Sequence, residues 1–381
     1  MTDKLVQALS KVIDPDIKRP ITDLGMVSGL SIDAHKVAHA TLHLTIASCP
    51  AARMLEEESI IALRQVQGVE DVDLKVTVMT PQEREEFILK VKGPAKPNQF
   101  DKNSLTRVIA VTSGKGGVGK SSVTVNLAVA LATKGLQVGI IDADIFGFSI
   151  PSLIGLSKNG RTTSPVKIND LIVAPESHGI KVVSIGMFLG EADSRNTAVS
   201  WRGPMLHRTL EQFLRDVWFG DLDVLLLDLP PGTGDVALSV GQLLPQAEVL
   251  VVTTPQTSAS DVAVRSGILS FTSGQKILGV IENMGSITLE DGTLLDMFGE
   301  GGGLEVAQRL SAHPKNIDQN KVDLLGTIPL SIKMRKAGDA GVPVLLTDKG
   351  DPASIAIQEI VEKISLKRPS LIGTNLPINL S

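Results

Sequence analysis

From Arg107 onward the chain repeats one pattern: a short apolar run, then a stretch with apolar residues at helical spacing. The runs Arg107–Thr112, Gln137–Asp142, Lys181–Ile185, Asp223–Leu229, Glu248–Thr254, Ile277–Glu282 and Asp323–Thr327 are predicted strands. Runs that are continuously apolar, rather than alternating, belong to strands covered on both faces. Interleaved with helices, they predict an α/β domain with a doubly wound, mostly parallel sheet over residues 106–366. Residues 1–91 read differently. A helix Thr2–Ile13, a turn at Asp14–Pro15, a strand Val37–Ile46, a helix Ala51–Gln65, a strand Val69–Met79 and a helix Pro81–Lys90 suggest a small α+β domain. The segment 92–105, KGPAKPNQFDKNSL, has the Pro, Gly and polar content of a linker, and residues 367–381 that of a loose tail.

Composition narrows the class. With 43% hydrophobic and 21% charged residues among 381, the chain is not disordered, collagenous or coiled-coil. Its net charge of −5 gives no basic footprint, and with no tyrosine, nine Phe and two Trp there is little to stack on bases, so no nucleic-acid partner is expected. No apolar run approaches a membrane span and the start lacks a basic-then-apolar leader pattern; the expectation is a cytoplasmic protein with no membrane partner. The single cysteine, Cys49, excludes an intrachain disulfide and a metal site built from one chain's thiolates alone.

The strongest chemical signal is Gly114-Lys115-Gly116-Gly117-Val118-Gly119-Lys120-Ser121, which fits G-x-x-x-x-G-K-[ST] between a predicted strand and a predicted helix. Its glycines let the backbone N–H groups from Gly114 to Ser122 wrap a phosphate chain. Lys120 is placed to reach the β- and γ-phosphates of ATP and the Ser121 hydroxyl to ligate Mg²⁺, while the helix Ser122–Thr133 aims its N-terminus at the anion. After the next strand come Asp142 and Asp144, two carboxylates at the crevice end of a parallel sheet. One can serve the metal shell and the other can orient the attacking water. Val224–Asp228 is an apolar strand ending in a carboxylate, so Asp228 is expected to bind Mg²⁺ through a water. Pro230-Pro231-Gly232-Thr233-Gly234-Asp235 follows as a loop able to change shape on hydrolysis. Asn283, just past a predicted strand, carries an amide that can pair with adenine; a strand-end turn is the other reading.

The second loop lysine, Lys115, resembles that of the MinD, ParA, ArsA and nitrogenase-iron-protein superfamily. More specifically, Ile141-Asp-Ala-Asp-Ile-Phe-Gly-Phe-Ser-Ile-Pro151, Trp201-Arg-Gly-Pro-Met205, Asp228-Leu-Pro-Pro-Gly-Thr-Gly-Asp235, Val252-Thr-Thr-Pro-Gln256, Ile281-Glu-Asn-Met284 and Phe298-Gly-Glu-Gly-Gly-Gly303 resemble the Mrp/ApbC family. Asp23-Leu-Gly-Met-Val27 and Thr45-Ile-Ala-Ser-Cys-Pro50 are similar to the small iron–sulfur-assembly domain often fused ahead of that ATPase. The resemblance spans everything but the tail. It implies an ATP-hydrolysing carrier of iron–sulfur clusters that dimerises around nucleotide and serves client or assembly proteins. It also implies that Lys115 reaches the partner's nucleotide, that Asp144 positions the water, and that Asn283 contacts the base.

One departure stands out. Where the family carries a C-x-x-C pair, this chain has Gly285-Ser-Ile-Thr-Leu-Glu-Asp-Gly-Thr-Leu-Leu-Asp-Met-Phe298, without cysteine. Two copies supply two thiols, one Cys49 each, which is short of a four-thiolate cluster. Cys49, between a strand and a helix, reads either as a thiol activated at a helix N-terminus or as a small residue in a tight turn; the resemblance of its domain favours a role as an iron–sulfur ligand. The alternative for the whole chain is a MinD/ParA-like switch or positioning ATPase without cluster chemistry. His39 and His43 share a strand face with Thr41 and Thr45, which reads as exposed polar surface.

Overall fold

The computed structural model describes residues 2–47, 49–92, 98–145, 147–158, 161–169, 171–188, 203–289, 291–317 and 321–366. The predicted tail 367–381, linker residues 93–97, and Trp201 and Arg202 of the quoted motifs lie outside these. Among the described residues, no helix is long and apolar enough to cross a membrane.

The chain parts into two compact units. The larger holds residues 100–162, 177–210 and 222–381. Its sheet runs in the order Ile180–Ser184, Val138–Asp142, Val224–Asp228, Arg107–Ser113, Glu248–Thr253, Ile277–Gly285, Leu324–Pro329. The seven from Ile180–Ser184 onward all run parallel. They are the seven strands predicted from the apolar runs, with ends shifted by a residue or two and Ile277–Gly285 extended by three. Val224–Asp228 and Glu248–Thr253 are buried at every position, as a sheet covered on both faces requires. The helix Lys120–Thr133 packs against helix Pro352–Leu366 on one face; on the other, Thr257–Thr272 packs against Gly302–Ser311. Ile109, Leu127, Ile140, Leu226, Leu250 and Ile357 form one continuous core with their neighbours, each worth roughly 1.5–3 kcal/mol in burial.

The smaller unit comprises residues 1–99, 163–176 and 211–221. Its division from the rest thus differs from the expected 1–91, 92–105 and 106–366, because two stretches from the middle of the chain pack with the N-terminal residues. Its main sheet orders Val27–Ile32, Val37–Leu44 and Asp71–Val78, antiparallel then parallel. In the central strand Ala38, Ala40, Leu42 and Leu44 point inward onto Leu5, Leu9, Leu55 and Leu63, and His39, Thr41 and His43 point the other way. A second sheet, Val166–Ile168, Leu171–Val173 and Val217–Trp218, adds Ile168, Leu171 and Val173 to this core. The helices Thr2–Leu9, Ala52–Arg64 and Pro81–Lys92 fall where predicted, the first ending earlier. The strand Val27–Ile32 was not anticipated.

Candidate nucleotide site

The site grows from the register of the sheet. Asp228 pairs across the ladder with Asp142 on one side and Val111 on the other, so the last residues of two neighbouring strands bring two carboxylates together below the phosphate loop. Both are fully buried. Desolvation, and then the charge of Asp228, push the Asp142 carboxyl up to about 8. It accepts hydrogen bonds from Ser184 Oγ at 3.0 Å and from the Asp144 N–H at 3.2 Å.

Asp228 is met from above by the helix that starts the loop's far side. Lys120 Nζ lies 2.6 Å from one Asp228 oxygen. Ser121 Oγ donates to the same oxygen at 2.6 Å, and Thr124 Oγ1 donates to the other at 2.7 Å. A buried charge persists only when paired and hydrogen-bonded, and here three side chains from the N-terminal end of one helix together do both. Thr124 and Ser184 were missed from the sequence; Thr124 sits four residues after Lys120, on the same helix face, which is the signal that could have found it.

Above this lies a cavity of about 590 Å³ lined by Lys115, Gly116, Gly117, Val118, Gly119, Lys120, Ser121, Ser122, Asp144, Gly147 and Pro231, among others. That is within the ordinary range for small-molecule sites. Lys115 is exposed at its rim. Asp144 is almost buried and accepts from the Gly147 N–H at 3.0 Å. The loop after Asp228 is tied to the loop strand: Gly232 N–H donates to the Ser113 carbonyl at 2.7 Å, and Ser266 Oγ donates to the Ser113 and Gly232 carbonyls at 3.3 Å each.

Two residues of the expected site have contacts within the fold as well. Gly114 does not line the cavity; a Cβ there would come within 2.2 Å of the Val262–Ala263 backbone, so glycine is needed for close packing of helix Thr257–Thr272. Asn283 lies inside the strand Ile277–Gly285, not beyond it, and its Nδ2 donates to the Val118 carbonyl at 2.9 Å. Its neighbour Glu282 accepts from the Gly303 N–H at 2.6 Å and from Thr327 Oγ1 at 3.1 Å, capping helix Gly302–Ser311. Between them a short hairpin, Ile287–Thr288 with Leu294–Leu295, occupies the stretch that lacks cysteines.

Cys49 belongs to the smaller unit, is half-buried and packs on that unit's core. Burial pushes its thiol up, the Ala51 N–H pulls it down, and Asp14 and Asp16 raise it again. The net direction is opposite to the activation expected at a helix N-terminus. The helix it precedes begins at Ala52 with no side-chain cap, and burial of the thiol, helped by the nearby carboxylates, outweighs the N–H groups there. His39 lies between Asp33 and Asp73 on the exposed face, and among the described residues no group of three or more His, Cys, Asp or Glu side chains is arranged to hold a metal ion.

A parallel α/β sheet whose first strand feeds a glycine-rich loop, with a helix-borne lysine and hydroxyl meeting a strand-end aspartate, defines a nucleotide-binding P-loop NTPase of the MinD/ParA-like fold. The sequence profile of NUBPL iron-transfer P-loop NTPases matches residues 104–365, and that of iron–sulfur cluster assembly proteins matches residues 2–76. An iron–sulfur cluster carrier protein of Mycobacterium leprae is 46% identical over 377 residues, covering 98% of this chain and 95% of its own. One of Synechocystis is 37% identical over 369 residues, covering 96% and 97%. A nucleotide-binding protein from Archaeoglobus fulgidus, solved with ADP, is 34% identical, with a TM-score of 0.49 over 62% of this chain and 86% of that one. The chain belongs to the iron–sulfur cluster carrier family of P-loop NTPases.

Proposed function

We propose that this chain is a Mg²⁺-dependent ATPase, acting as a homodimer, that binds iron–sulfur clusters and hands them to client or assembly proteins in the cytoplasm. The observation that carries the ATPase part is the convergence of Lys120, Ser121 and Asp228 under a cavity walled by the loop and Asp144. The donor set fits a hard cation: a hydroxyl and a carboxylate already in contact, with room above for water and phosphate oxygens. Ser121 and Asp228, the latter through a water, would hold Mg²⁺, which when bound neutralises charge on the β- and γ-phosphates.

The chain's own groups then divide the work. N–H groups from Gly116 to Ser122 cradle the phosphates. Lys120, released from Asp228, balances their charge. Asp144 orients a water whose oxygen bonds to the γ-phosphorus as the bond to the bridging oxygen breaks, giving ADP and inorganic phosphate. Asp142, held neutral by its burial, keeps the Asp144 backbone in place through the 3.2 Å contact. Lys115, exposed at the rim, is free to reach a second copy's nucleotide, as an arginine finger supplied in trans does.

The cluster is cargo, and its ligands are the weak point. One thiol per chain, held up in pKa, does not fit a site of four thiolates. Cluster carriage therefore requires thiols from the client or from a small-molecule thiol, with Cys49 supplying one ligand at most. The absence of cysteine from 285–298 favours a second reading, an ATP-driven switch without cluster chemistry.

Two experiments separate these. ATP hydrolysis by the full chain should vanish in Lys120→Ala; unchanged turnover there refutes the site. Anaerobic reconstitution with iron and sulfide, with and without added thiol, should give a visible cluster chromophore that transfers to an apo acceptor and weakens in Cys49→Ala. No chromophore under either condition leaves the switch.

A further inference from the structure

The Asn283 side chain makes a contact across 165 residues of sequence that no motif announces. Its Nδ2 donates to the Val118 carbonyl at 2.9 Å; the residue is 5% exposed, and the lining of the cavity does not include it. The strand carrying it loses register against Leu324–Pro329 between Asn283 and Gly285, and Met284 adopts φ 59, a conformation unfavourable for a residue with a Cβ. The strand end is thus bent just where the amide turns toward the loop.

The peptide bonds of the described loop are trans, so the Val118 carbonyl and the Gly119 N–H point in opposite directions within one plane. An amide that pins the carbonyl on the strand side sends the Gly119 N–H to the cavity side, where Gly119 forms part of the wall. The contact also accounts for Gly119 itself. Its φ is +79, and a Cβ there would come within 2.3 Å of Asn283 Nδ2. Glycine and asparagine are matched: one leaves the space, the other fills it and fixes the plane.

We propose that Asn283 is a positioning residue for the phosphate loop, holding the Val118–Gly119 peptide with its N–H turned toward the bound phosphate. The proposal rests on the nucleotide-binding reading above and replaces adenine recognition as the principal task of this side chain. A base contact and a loop latch make opposite demands on ligand chemistry. A latch acts on every ligand that places phosphates in the loop; a base contact acts only on those with a base.

The test uses the full chain, with Mg²⁺-ATP binding measured by calorimetry and tripolyphosphate binding by displacement of a fluorescent ATP analogue. Asn283→Ala removes the donor; Asn283→Leu removes it while keeping the side-chain volume, and stands in if the alanine variant does not fold. The expected result is a loss of affinity of about tenfold for both ligands, with their ratio unchanged, as one buried hydrogen bond and a misoriented donor imply. A loss confined to ATP overturns the proposal in favour of base recognition. Lowered thermal stability with both affinities intact overturns it in favour of a structural role, and so does no change at all. If the parent chain binds neither ligand, the nucleotide reading fails together with this one.

Discussion

Replacing Lys120 by methionine tests the electrostatic core of the site in the chain without nucleotide. The lysine is 6% exposed and its partner Asp228 not at all. Methionine keeps the apolar stem, so the cavity contribution is small. What remains is a buried carboxylate with two hydroxyl donors, Ser121 Oγ and Thr124 Oγ1, and Asp142 as its neighbour across the ladder. Breaking a buried pair from one side costs about 3–5 kcal/mol, and the two retained hydrogen bonds place the expectation near the lower end. For a unit of this size about 3 kcal/mol corresponds to a fall of roughly 6–12 °C in melting temperature. Scanning calorimetry of the full chain at pH 7 measures it. The double variant Lys120→Met with Asp228→Asn removes both charges while keeping an acceptor for the hydroxyls, and should recover at least half of the loss. A single-variant shift below about 2 °C, or a double variant no more stable than the single, refutes the assignment of Lys120 as the counter-ion of Asp228.

Three further outcomes follow from the same geometry. The Asp142 carboxyl keeps its proton in the folded chain up to about 8, against 3.8 unfolded, so the parent loses stability as pH rises through that window; Asp142→Asn should match it at the low-pH end, near the unfolded value of 3.8, and melt progressively higher than it toward the folded value of about 8, and a parallel decline in both would refute this. Alkylation of Cys49 by iodoacetamide should be slower in the folded chain than in urea at pH 8, with a rate midpoint above the ordinary 9.0; a midpoint below it would restore the activated-thiol reading. Glu282→Ala removes acceptors from Gly303 N–H and Thr327 Oγ1 and should cost about 2–3 kcal/mol in urea unfolding, with Glu282→Gln intermediate.

The parts legible in the sequence are those written in local pattern. A strand such as Val224–Asp228 is all apolar until its last residue, and both its burial and its functional carboxylate can be read from five letters. The loop from Gly114 to Ser121 announces itself by glycine spacing. What escaped was set by contacts distant in sequence or by elements too short to have a period. Leu171–Val173 and Val217–Trp218 are three and two residues long, and nothing local shows that they pair with each other or join the core of the N-terminal unit. Val27–Ile32 was hidden by Gly29 and an irregular register that breaks its alternation. For Cys49 the two readings could not be separated locally, because its thiol is raised first by burial in the folded unit and then by Asp14 and Asp16, which lie more than thirty residues earlier. For Asn283 the sequence offers a polar side chain at a strand end, but its partner Val118 could not be named without the sheet.

The bond from Gly303 to Glu282 also bears on how such a chain can change over time. It closes the base of the excursion between strand Ile277–Gly285 and helix Gly302–Ser311, so the strand and the helix are held to each other whatever lies between. Length and composition inside a loop clamped in this way are cheap to vary. The hairpin there is in effect an exchangeable cassette: its residues can be replaced without altering the sheet, the phosphate loop or the register that brings Asp142 beside Asp228.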